Sequence, residues 1–342
     1  MTPDWEQQRV FSVSDPSHTA EVRRFATQLA EASGFDESET GKVAIVSTEL
    51  ATNLIKHAAR SQILIRPLNT KRGRGIELLS LDQGSGIANL AECLRDGYST
   101  AGTQGAGLGA IRRLSGEFDI QSLPGRGTAV FARFWTADSA AMPLEQIAVG
   151  AVCTAMPGEE RCGDGWAYEP LAGRAVFVVV DGLGHGPAAA VAAQRAIASV
   201  REHRAAAPAT IVQRAHEALS ATRGAALAVA VVDLTQQVVG YCGIGNISAV
   251  IVTGERLRRL VNHNGIAGHE ARKIVEFSYP WTANCVLIMH SDGLATRWDL
   301  QDYPGLIQRH PSLIAGILYR DFLRGRDDAT VLVAKHKKDR AE

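Results

Sequence analysis

Several aspartates from residue 164 onward in this 342-residue chain stand beside apolar runs. VFVVV precedes Asp181, and VLIMH ends two residues before Asp292. Asp164 in CGDGW and Asp327 in GRDDATVLV follow the same pattern. The runs have the length and the β-branched content of buried strands, so they constrain this half of the chain to a β-rich fold. Each Asp-Gly pair alone is equally typical of an ordinary turn. Only the shared pattern predicts a common site.

Strand-end carboxylates that converge need a cation. Two unit charges ~4 Å apart repel by about 4 kcal/mol at an effective dielectric near 20. Oxygen-only ligands favour Mg²⁺ or Mn²⁺ over zinc, and a pair of such ions activates water for in-line attack on a phosphoester. Asp327 and Asp328 are adjacent, so strand alternation sends them to opposite faces. His185 and Asn246 lie near these motifs, and both are more typical of turn residues.

The order of predicted elements indicates two α+β domains. In the first, the spacing of Val22, Phe25 and Leu29 predicts a helix, a second helix follows over about 36–59, and the predicted strands do not alternate strictly with helices. The second contains many short strands and paired helices, which predicts a β-sandwich flanked by helices. TADSAAMPLEQ is small, polar and aperiodic, as linkers are. We therefore predict domains at 1–137 and 146–338, joined by a linker at 138–145.

Composition excludes several classes of protein. The chain has 36 basic and 36 acidic residues, so it has no excess positive charge for a nucleic-acid backbone. A hydrophobic content of 46% excludes a disordered chain, and the apolar runs are too short to span a bilayer. The polar start, MTPDWEQQRV, and five cysteines without CxxC spacing predict a reduced, cytoplasmic protein that is not bound to membranes.

A second constellation lies in the first half of the chain. Glu49, Asn53 and His57 recur every fourth residue, so they share one helix face, which suits a divalent cation or is simply a solvated stripe. Asp82 ends an apolar strand and is followed by Gly84 and Gly86, which allow close approach to a flat ring. A loop with Gly105, Gly107 and Gly109 then leads into a helix whose free N–H groups suit phosphate. A dinucleotide-binding fold is the competing interpretation, but these glycines do not directly follow a strand in a βαβ unit.

The ordered motifs ELxxN, DxGxG, GxGLG and the late pair Gly127-Thr128 resemble the GHKL, or Bergerat-fold, ATPases. Within them, residues 5–135 are similar to RsbT-like switch-protein serine kinases of the anti-sigma-factor type. The resemblance implies that Glu49 is the general base, that Asn53 holds Mg²⁺ and that Asp82 contacts the adenine of ATP. It places the remaining ATP contacts at Gly84, Gly86, Gly105, Gly107, Gly109 and Thr128. His57 is expected to be structural.

The motifs DGLGHG, GNISAVIV, SDG and DDATVLV over about 146–336 resemble the metal-dependent SpoIIE-type phosphatases of the PPM family, in compact RsbX-like form. The resemblance implies that Asp181 bridges two metal ions, assisted by the Gly182 carbonyl. Asp164 would serve the outer ion, and Asp292 and Asp327 the inner ion. Asp327 is preferred over Asp328 because the family motif aligns its first acidic residue there.

The two resemblances together imply a bifunctional Ser/Thr kinase and phosphatase for STAS-domain proteins in a bacterial partner-switching pathway. The required cofactors would be ATP with Mg²⁺, and two Mn²⁺ or Mg²⁺ ions in the phosphatase. One alternative is a phosphatase whose first unit is an ATP-dependent regulator. Another is a module that sequesters a sigma factor or another switch partner. The resemblance is compatible with a homodimer, which no residue pattern fixes.

Overall fold

The computed structural model describes residues 8–58, 60–70, 72–94, 107–141, 146–254 and 256–337. Contacts divide the chain into two units, of which the first comprises Met1–Leu144 with Tyr303–Arg320 and the second Glu145–Asp302 with Asp321–Glu342. The contacts of Tyr303–Arg320 thus group this segment with the first unit, whereas the predicted domain at 146–338 includes it. No helix among the described residues combines the length and the apolar content needed to cross a membrane.

The first unit is built on an antiparallel sheet. Its elements from the first part of the chain are β1 (Arg9–Ser12), α1 (Pro16–Ala32), α2 (Glu37–His57), β2 (Gln62–Thr70), β3 (Gly73–Leu81), α3 (Leu90–Cys93), α4 (Leu108–Leu114), β4 (Glu117–Leu123), β5 (Gly127–Trp135) and a 3₁₀ turn at Ala137–Ala141. The strands pair in the order β1-β2-β3-β5-β4. The 3₁₀ turn at Ala137–Ala141 occupies part of the predicted linker at 138–145.

Capping residues fix where the two long helices begin. The Asp15 side chain accepts a hydrogen bond from the Ser17 backbone N–H (2.9 Å), and Asp36 accepts one from Glu39 (2.8 Å). Such side chains satisfy N–H groups that lack a partner within the helix. The apolar faces of both helices then pack on one face of the sheet, in a core that includes Leu29, Val46 and Leu78.

The second unit is a sandwich of two five-stranded sheets. Its elements are β6 (Ile147–Thr154), β7 (Asp164–Leu171), β8 (Arg174–Gly182), α5 (Pro187–Glu202), α6 (Pro208–Ala218), β9 (Ala225–Asp233), β10 (Val238–Ile244), β11 (Ser248–Thr253), β12 (Arg256–Arg259), β13 (Phe277–Pro280), β14 (Cys285–His290), a 3₁₀ turn at Leu300–Asp302, and β15 (Ala329–His336). The strand orders are β13-β10-β9-β8-β7 and β12-β11-β14-β15-β6. Phe177, Ile251 and Leu332 share the core between the sheets, and α5 and α6 cover the other face of the first sheet. The predicted α+β class is confirmed.

The segment Tyr303–Arg320 contains a 3₁₀ turn (Leu306–Gln308) and most of α7 (Pro311–Phe322). It contacts the sheet face opposite to α1 and α2, because Glu77, which points away from Ile76 and Leu78, accepts a hydrogen bond from the Ser312 hydroxyl (2.9 Å). Every residue of α7 from Pro311 to Tyr319 is buried. The first unit therefore has three layers: the helices α1 and α2, the sheet, and the segment Tyr303–Arg320. The third layer comes from far along the chain.

Glu77 lies at the centre of a buried ionic cluster. Its side chain is 1% exposed and pairs with Arg66 (2.8 Å) and Arg133 (2.5 Å). Burial favours the neutral acid, but the two guanidinium groups outweigh this effect and lower the pKa of Glu77 to about 2. Glu77 is therefore ionised at neutral pH and compensates the charges of Arg66 and Arg133, of which Arg133 also pairs with Glu117 (3.2 Å).

We expect Glu77→Ala to destabilise the protein by about 3–5 kcal/mol, because it removes the buried carboxylate that pairs with both guanidinium groups and leaves Arg133 with its pair to Glu117. Urea denaturation followed by circular dichroism measures this loss. The matched control is Glu217→Ala, which removes an exposed pair with Arg214 and should cost less than about 1 kcal/mol. Equal losses for the two variants would contradict the assigned role of Glu77.

Candidate functional site

The predicted catalytic helix face is present on α2. Glu49 and Asn53 are one turn apart, and both are partly exposed. Burial raises the pKa of Glu49, and the positive charge of Lys56 opposes that rise. A carboxylate with a raised pKa is a better proton acceptor near neutral pH. This environment is compatible with Glu49 as a general base, and that role stays a prediction.

Asp82 directly follows β3 and is 8% exposed. Its carboxylate accepts a hydrogen bond from the Gly84 N–H (2.7 Å), and its own N–H donates to the Thr128 carbonyl (3.0 Å). Burial raises the pKa of Asp82, while the hydrogen bonds from Gly84 and Thr128 lower it. The side chain is therefore held in place at the end of the strand by the DxGxG turn and by β5.

Two of the predicted glycines are required by close backbone packing. A Cβ on Gly84 would lie 2.8 Å from the His57 carbonyl oxygen, so the turn lies directly against the end of α2. Gly127 has a φ of +79°, and a Cβ there would lie 2.0 Å from the Asp82 carbonyl oxygen. His57 is the last residue of α2 and is exposed. These contacts bring the end of α2, Asp82 and the Gly127-Thr128 pair together.

The remaining nucleotide-site predictions divide into described and undescribed residues. Gly86 lies in the turn after Asp82, and the Thr128 hydroxyl is 2.9 Å from that of Ser122. Gly107 is the N-cap of α4 and Gly109 is buried in its first turn, on a helix that packs against α2. Gly105 lies outside the described residues. The roles predicted for these residues stay predictions.

In the second unit, Asp164 and Asp181 face each other across adjacent strands. Asp164 begins β7 and pairs in register with Asp181 on β8. The Ser291 hydroxyl donates a hydrogen bond to Asp164 (2.6 Å) and accepts one from the Thr330 N–H (2.9 Å). Ser291 thereby links β7 to the start of β15. Sequence reasoning did not identify it, although it immediately precedes Asp292.

The predicted aspartates act on Asp181 electrostatically. Burial, the largest effect, and the negative charges of Asp164, Asp292, Asp327 and Asp328 raise its pKa to about 9. Asp164 also pairs with Asp181 across adjacent strands. The predicted aspartates therefore lie near enough to Asp181 for their charges to act on it.

The Asp292 carboxylate is oriented by Asn246. The Asn246 amide donates to it at 2.8 Å. Burial and the nearby Asp327 raise the pKa of Asp292, while Arg324 and the Asn246 hydrogen bond lower it. Asn246, predicted to shape a turn, therefore also has a direct partner in the carboxylate cluster.

The two adjacent aspartates before β15 have different environments. Asp328 is 2% exposed, and its two carboxylate oxygens accept hydrogen bonds from the Met156 and Gly163 N–H groups, both at 2.8 Å. Asp327 is partly exposed and accepts a hydrogen bond from the Asp328 N–H (2.9 Å). The backbone contacts of Asp328 favour Asp327 as the metal ligand, with Asp328 holding the loop that leads to Asp164.

Gly182 and His185 lie in the motif after β8. A Cβ on Gly182 would lie 2.3 Å from the Ala189 carbonyl oxygen, so only glycine lets α5 begin so close to the strand. His185 is exposed, and its Nδ1 lies 2.6 Å from a Glu159 carboxylate oxygen. His185 thus has a carboxylate partner, which the sequence did not indicate because Glu159 is 26 residues away.

The donor set fits hard divalent cations. Within the described ranges, no group of three or more His, Cys, Asp or Glu side chains already has metal-ligand geometry. Ser291 and Asn246 instead hold Asp164 and Asp292 by hydrogen bonds. The candidate ligands are all oxygen atoms, and the raised pKa of Asp181 reflects a repulsion that a cation would relieve. The residues therefore fit Mg²⁺ or Mn²⁺.

Two family models match the chain. Residues 13–134 match the histidine kinase-like ATPase domain, and residues 172–337 match the stage II sporulation protein E (SpoIIE) family. The serine/threonine-protein kinase RsbT of Bacillus subtilis (strain 168) is 33% identical over 114 residues, which cover 33% of this chain and 86% of RsbT.

Solved structures are similar as well. A chain from a study of the bacterial stressosome, described as a modular system adapted to control secondary messenger signaling, is 28% identical with a TM-score of 0.53. The match covers 56% of this chain and 100% of that chain. The PP2C phosphatase domain of SpoIIE from Bacillus subtilis, solved with a fragment of its regulatory domain, is 17% identical with a TM-score of 0.50. This match covers 95% of the present chain and 100% of the solved chain. At this identity it shows the fold alone.

These similarities confirm the family resemblance read from the motifs. The N-terminal match lies on the unit that holds Glu49 and Asp82, and the SpoIIE match covers Asp181, Asp292 and Asp327. The chain belongs to the RsbT family through its histidine kinase-like ATPase domain, and on the same chain residues 172–337 match the SpoIIE family.

Proposed function

We propose that this protein adds and removes a phosphoryl group on Ser or Thr side chains of a partner protein in a partner-switching pathway. The observation that carries the proposal is the presence of both functional sets on one chain. Glu49, Asn53 and Asp82 lie in one unit, and the aspartates around Asp181 lie in the other. The relative named as a serine/threonine-protein kinase supports the first activity, and the SpoIIE match supports the second.

The kinase step requires positioning and a proton acceptor. When bound, ATP with Mg²⁺ supplies the phosphoryl group and neutralises its charge. Glu49 would accept the proton from the substrate hydroxyl as that oxygen forms its bond to phosphorus. Asn53 would hold Mg²⁺ and Asp82 would accept a hydrogen bond from the adenine amine. The further nucleotide contacts are proposed at Gly84, Gly86, Gly105, Gly107, Gly109 and Thr128.

The phosphatase step needs water rather than a protein nucleophile. Two Mg²⁺ or Mn²⁺ ions, when bound, supply the charge that activates this water and the phosphoester. Asp181 and the Gly182 carbonyl would hold both ions, Asp164 the outer one, and Asp292 and Asp327 the inner one. Ser291 and Asn246 would orient Asp164 and Asp292 through the hydrogen bonds described above.

The proposed substrate is a phosphoprotein of the STAS type. The family resemblance and the similarity to a chain from a stressosome study support this class of partner. One covalent chain would keep the two opposed activities at equal stoichiometry and at high effective concentration around the same target.

A second candidate function is a phosphatase whose first unit serves as a nucleotide-dependent regulator. The Arg320 guanidinium favours it, because it donates a hydrogen bond to the Asp82 carbonyl at 2.8 Å. Persistence of partner phosphorylation in an Asp181→Asn variant would exclude this candidate.

The first prediction from the proposed function concerns Glu49→Gln. We expect it to lower ATP-dependent phosphorylation of a STAS partner by at least about 100-fold, because a general base typically contributes 10²–10⁴. Mn²⁺-dependent dephosphorylation should stay unchanged. Phosphate incorporation, measured by mass spectrometry of the partner, tests the change, and the exposed Glu37 on the same helix gives the control variant Glu37→Gln. Loss of both activities in Glu49→Gln would contradict the proposal of two independent sites.

The second prediction concerns Asp181→Asn. It should lower Mn²⁺-dependent hydrolysis of p-nitrophenyl phosphate by more than about 100-fold. Loss of a residue that only orients a metal ligand typically costs about 10–100-fold, so the loss of a ligand itself should cost more. Kinase activity should persist. The control is Asp299→Asn, which changes an exposed aspartate in the same unit. Full phosphatase activity in Asp181→Asn would remove Asp181 from the proposed metal centre.

The third prediction separates Asp327 from Asp328. Asp327→Asn should abolish phosphatase activity at every Mn²⁺ concentration at which the wild type is active. Asp328→Asn should instead raise the Mn²⁺ concentration for half-maximal activity by about 10–100-fold, as expected for a residue that positions ligands. Mn²⁺ titrations of both variants measure this difference, and the opposite ranking would assign the ligand to Asp328.

A further inference from the structure

The segment Tyr303–Arg320 is held to the first unit by polar contacts as well as by apolar packing. His310 stacks on Phe131 with ring centroids 4.0 Å apart, and its backbone N–H donates to Asp119 at 2.7 Å. The Arg309 guanidinium donates to Gln121 at 2.9 Å. These contacts and the Ser312 hydrogen bond to Glu77 are made to specific side chains on β3, β4 and β5. The segment is therefore a specifically bound part of this unit.

Helix α7 lies very close to the strand that ends at Asp82. A Cβ added to Gly316 would lie 2.6 Å from a Leu79 methyl carbon and 3.0 Å from a Leu81 methyl carbon. A larger residue at this position would force the Leu79 and Leu81 side chains to shift. Gly316 thus lets α7 pack closely on the side chains of β3.

At its last residue, the segment reaches the DxGxG turn. The Arg320 guanidinium donates to the Asp82 carbonyl at 2.8 Å, and the Gln83 amide donates to the Arg320 carbonyl at 3.3 Å. Arg320 also lowers the pKa of Asp82, against the larger effect of burial. Arg320 thus donates one hydrogen bond to residue 82 and accepts one from residue 83. A change in the backbone of this turn must therefore change the environment of Arg320.

The chain beyond Arg320 runs directly to the phosphatase motif. In the second unit, the Phe322 carbonyl accepts a hydrogen bond from the Ala295 N–H (2.9 Å), and the Arg324 N–H donates to the Gly293 carbonyl (2.8 Å). Gly293 follows Asp292, and Asp327 is three residues after Arg324. The short stretch after α7 therefore contacts the backbone beside one proposed metal ligand and leads to another.

We propose that Arg320 and α7 couple occupancy of the nucleotide pocket to the activity of the phosphatase on the same chain. This inference rests on the proposed function, since it assigns a ligand to Asp82 and a reaction to the aspartate cluster. Nucleotide bound at Asp82 fixes the DxGxG turn, Arg320 follows that turn, and the covalent stretch 321–327 carries the change to Asp292 and Asp327. Because simultaneous phosphorylation and dephosphorylation would only hydrolyse ATP, nucleotide occupancy should lower phosphatase activity.

The experiment uses the full chain, a non-hydrolysable ATP analogue (AMP-PNP) and p-nitrophenyl phosphate at a fixed concentration of free Mn²⁺. Saturating AMP-PNP should lower the wild-type hydrolysis rate by at least about fivefold, the lower end of typical coupling between sites. Arg320→Ala should reduce that effect to less than about twofold, with its activity in the absence of nucleotide retained. Binding of a fluorescent nucleotide analogue, measured separately, shows that the pocket of each variant is occupied.

A second variant and a matched control guard against misfolding. Gln83→Ala removes the other hydrogen bond at an exposed residue, and it should weaken the nucleotide effect in the same direction as Arg320→Ala. The control is Arg201→Ala, an exposed arginine paired with Glu169 in the second unit, which should leave the nucleotide effect intact.

The outcomes separate the coupling from the proposed function. If wild type binds AMP-PNP and hydrolyses p-nitrophenyl phosphate, but its rate is unchanged or rises with the analogue, the coupling is overturned and the proposed function stands. An equal fall in wild type, Arg320→Ala and Gln83→Ala also overturns it. If wild type binds no nucleotide or has no phosphatase activity, the proposed function fails and the coupling fails with it.

Discussion

The buried carboxylate of Glu77 is the interaction on which the first unit depends. An ionised group in a nearly water-free environment is stable only when its partners satisfy it completely. Arg66 and Arg133 supply the charge from neighbouring strands, and Ser312 supplies a hydrogen bond from a segment 235 residues further along the chain. The ionised Glu77 carboxylate thus lies at the centre of the second face of the sheet, and α7 covers that face.

The main strands and long helices could be predicted because their apolar patterns are strong. The run before Asp181 is a continuous row of branched side chains, and it forms β8 as expected. β7 was not predicted, because DGWAYEPL mixes polar and apolar residues without a clear alternation. Its strand character depends on pairing with β8, an interaction between residues that a local pattern does not contain.

The same distinction applies to the sites. Asp82, Asp164, Asp181 and Asp292 were found because each stands beside an apolar run or a glycine motif. Their hydrogen-bond partners were not, because Ser291 is 127 residues from Asp164 and Asn246 is 46 residues from Asp292. Motifs point to candidate site residues, whereas the residues that orient them are chosen by tertiary packing. The contacts that group Tyr303–Arg320 with the first unit are likewise not visible in a local pattern, and the SpoIIE match includes this segment.

That grouping bears on how the two proposed activities could be related. If each unit were one separate stretch of sequence, the chain would pass between the units once. Here the chain leaves the second unit after Asp302, packs against the strand that ends at Asp82, and returns six residues before Asp327. A short covalent stretch therefore connects α7 to a proposed metal ligand. Under the proposed function, such a path would let the phosphatase respond to occupancy of the nucleotide pocket.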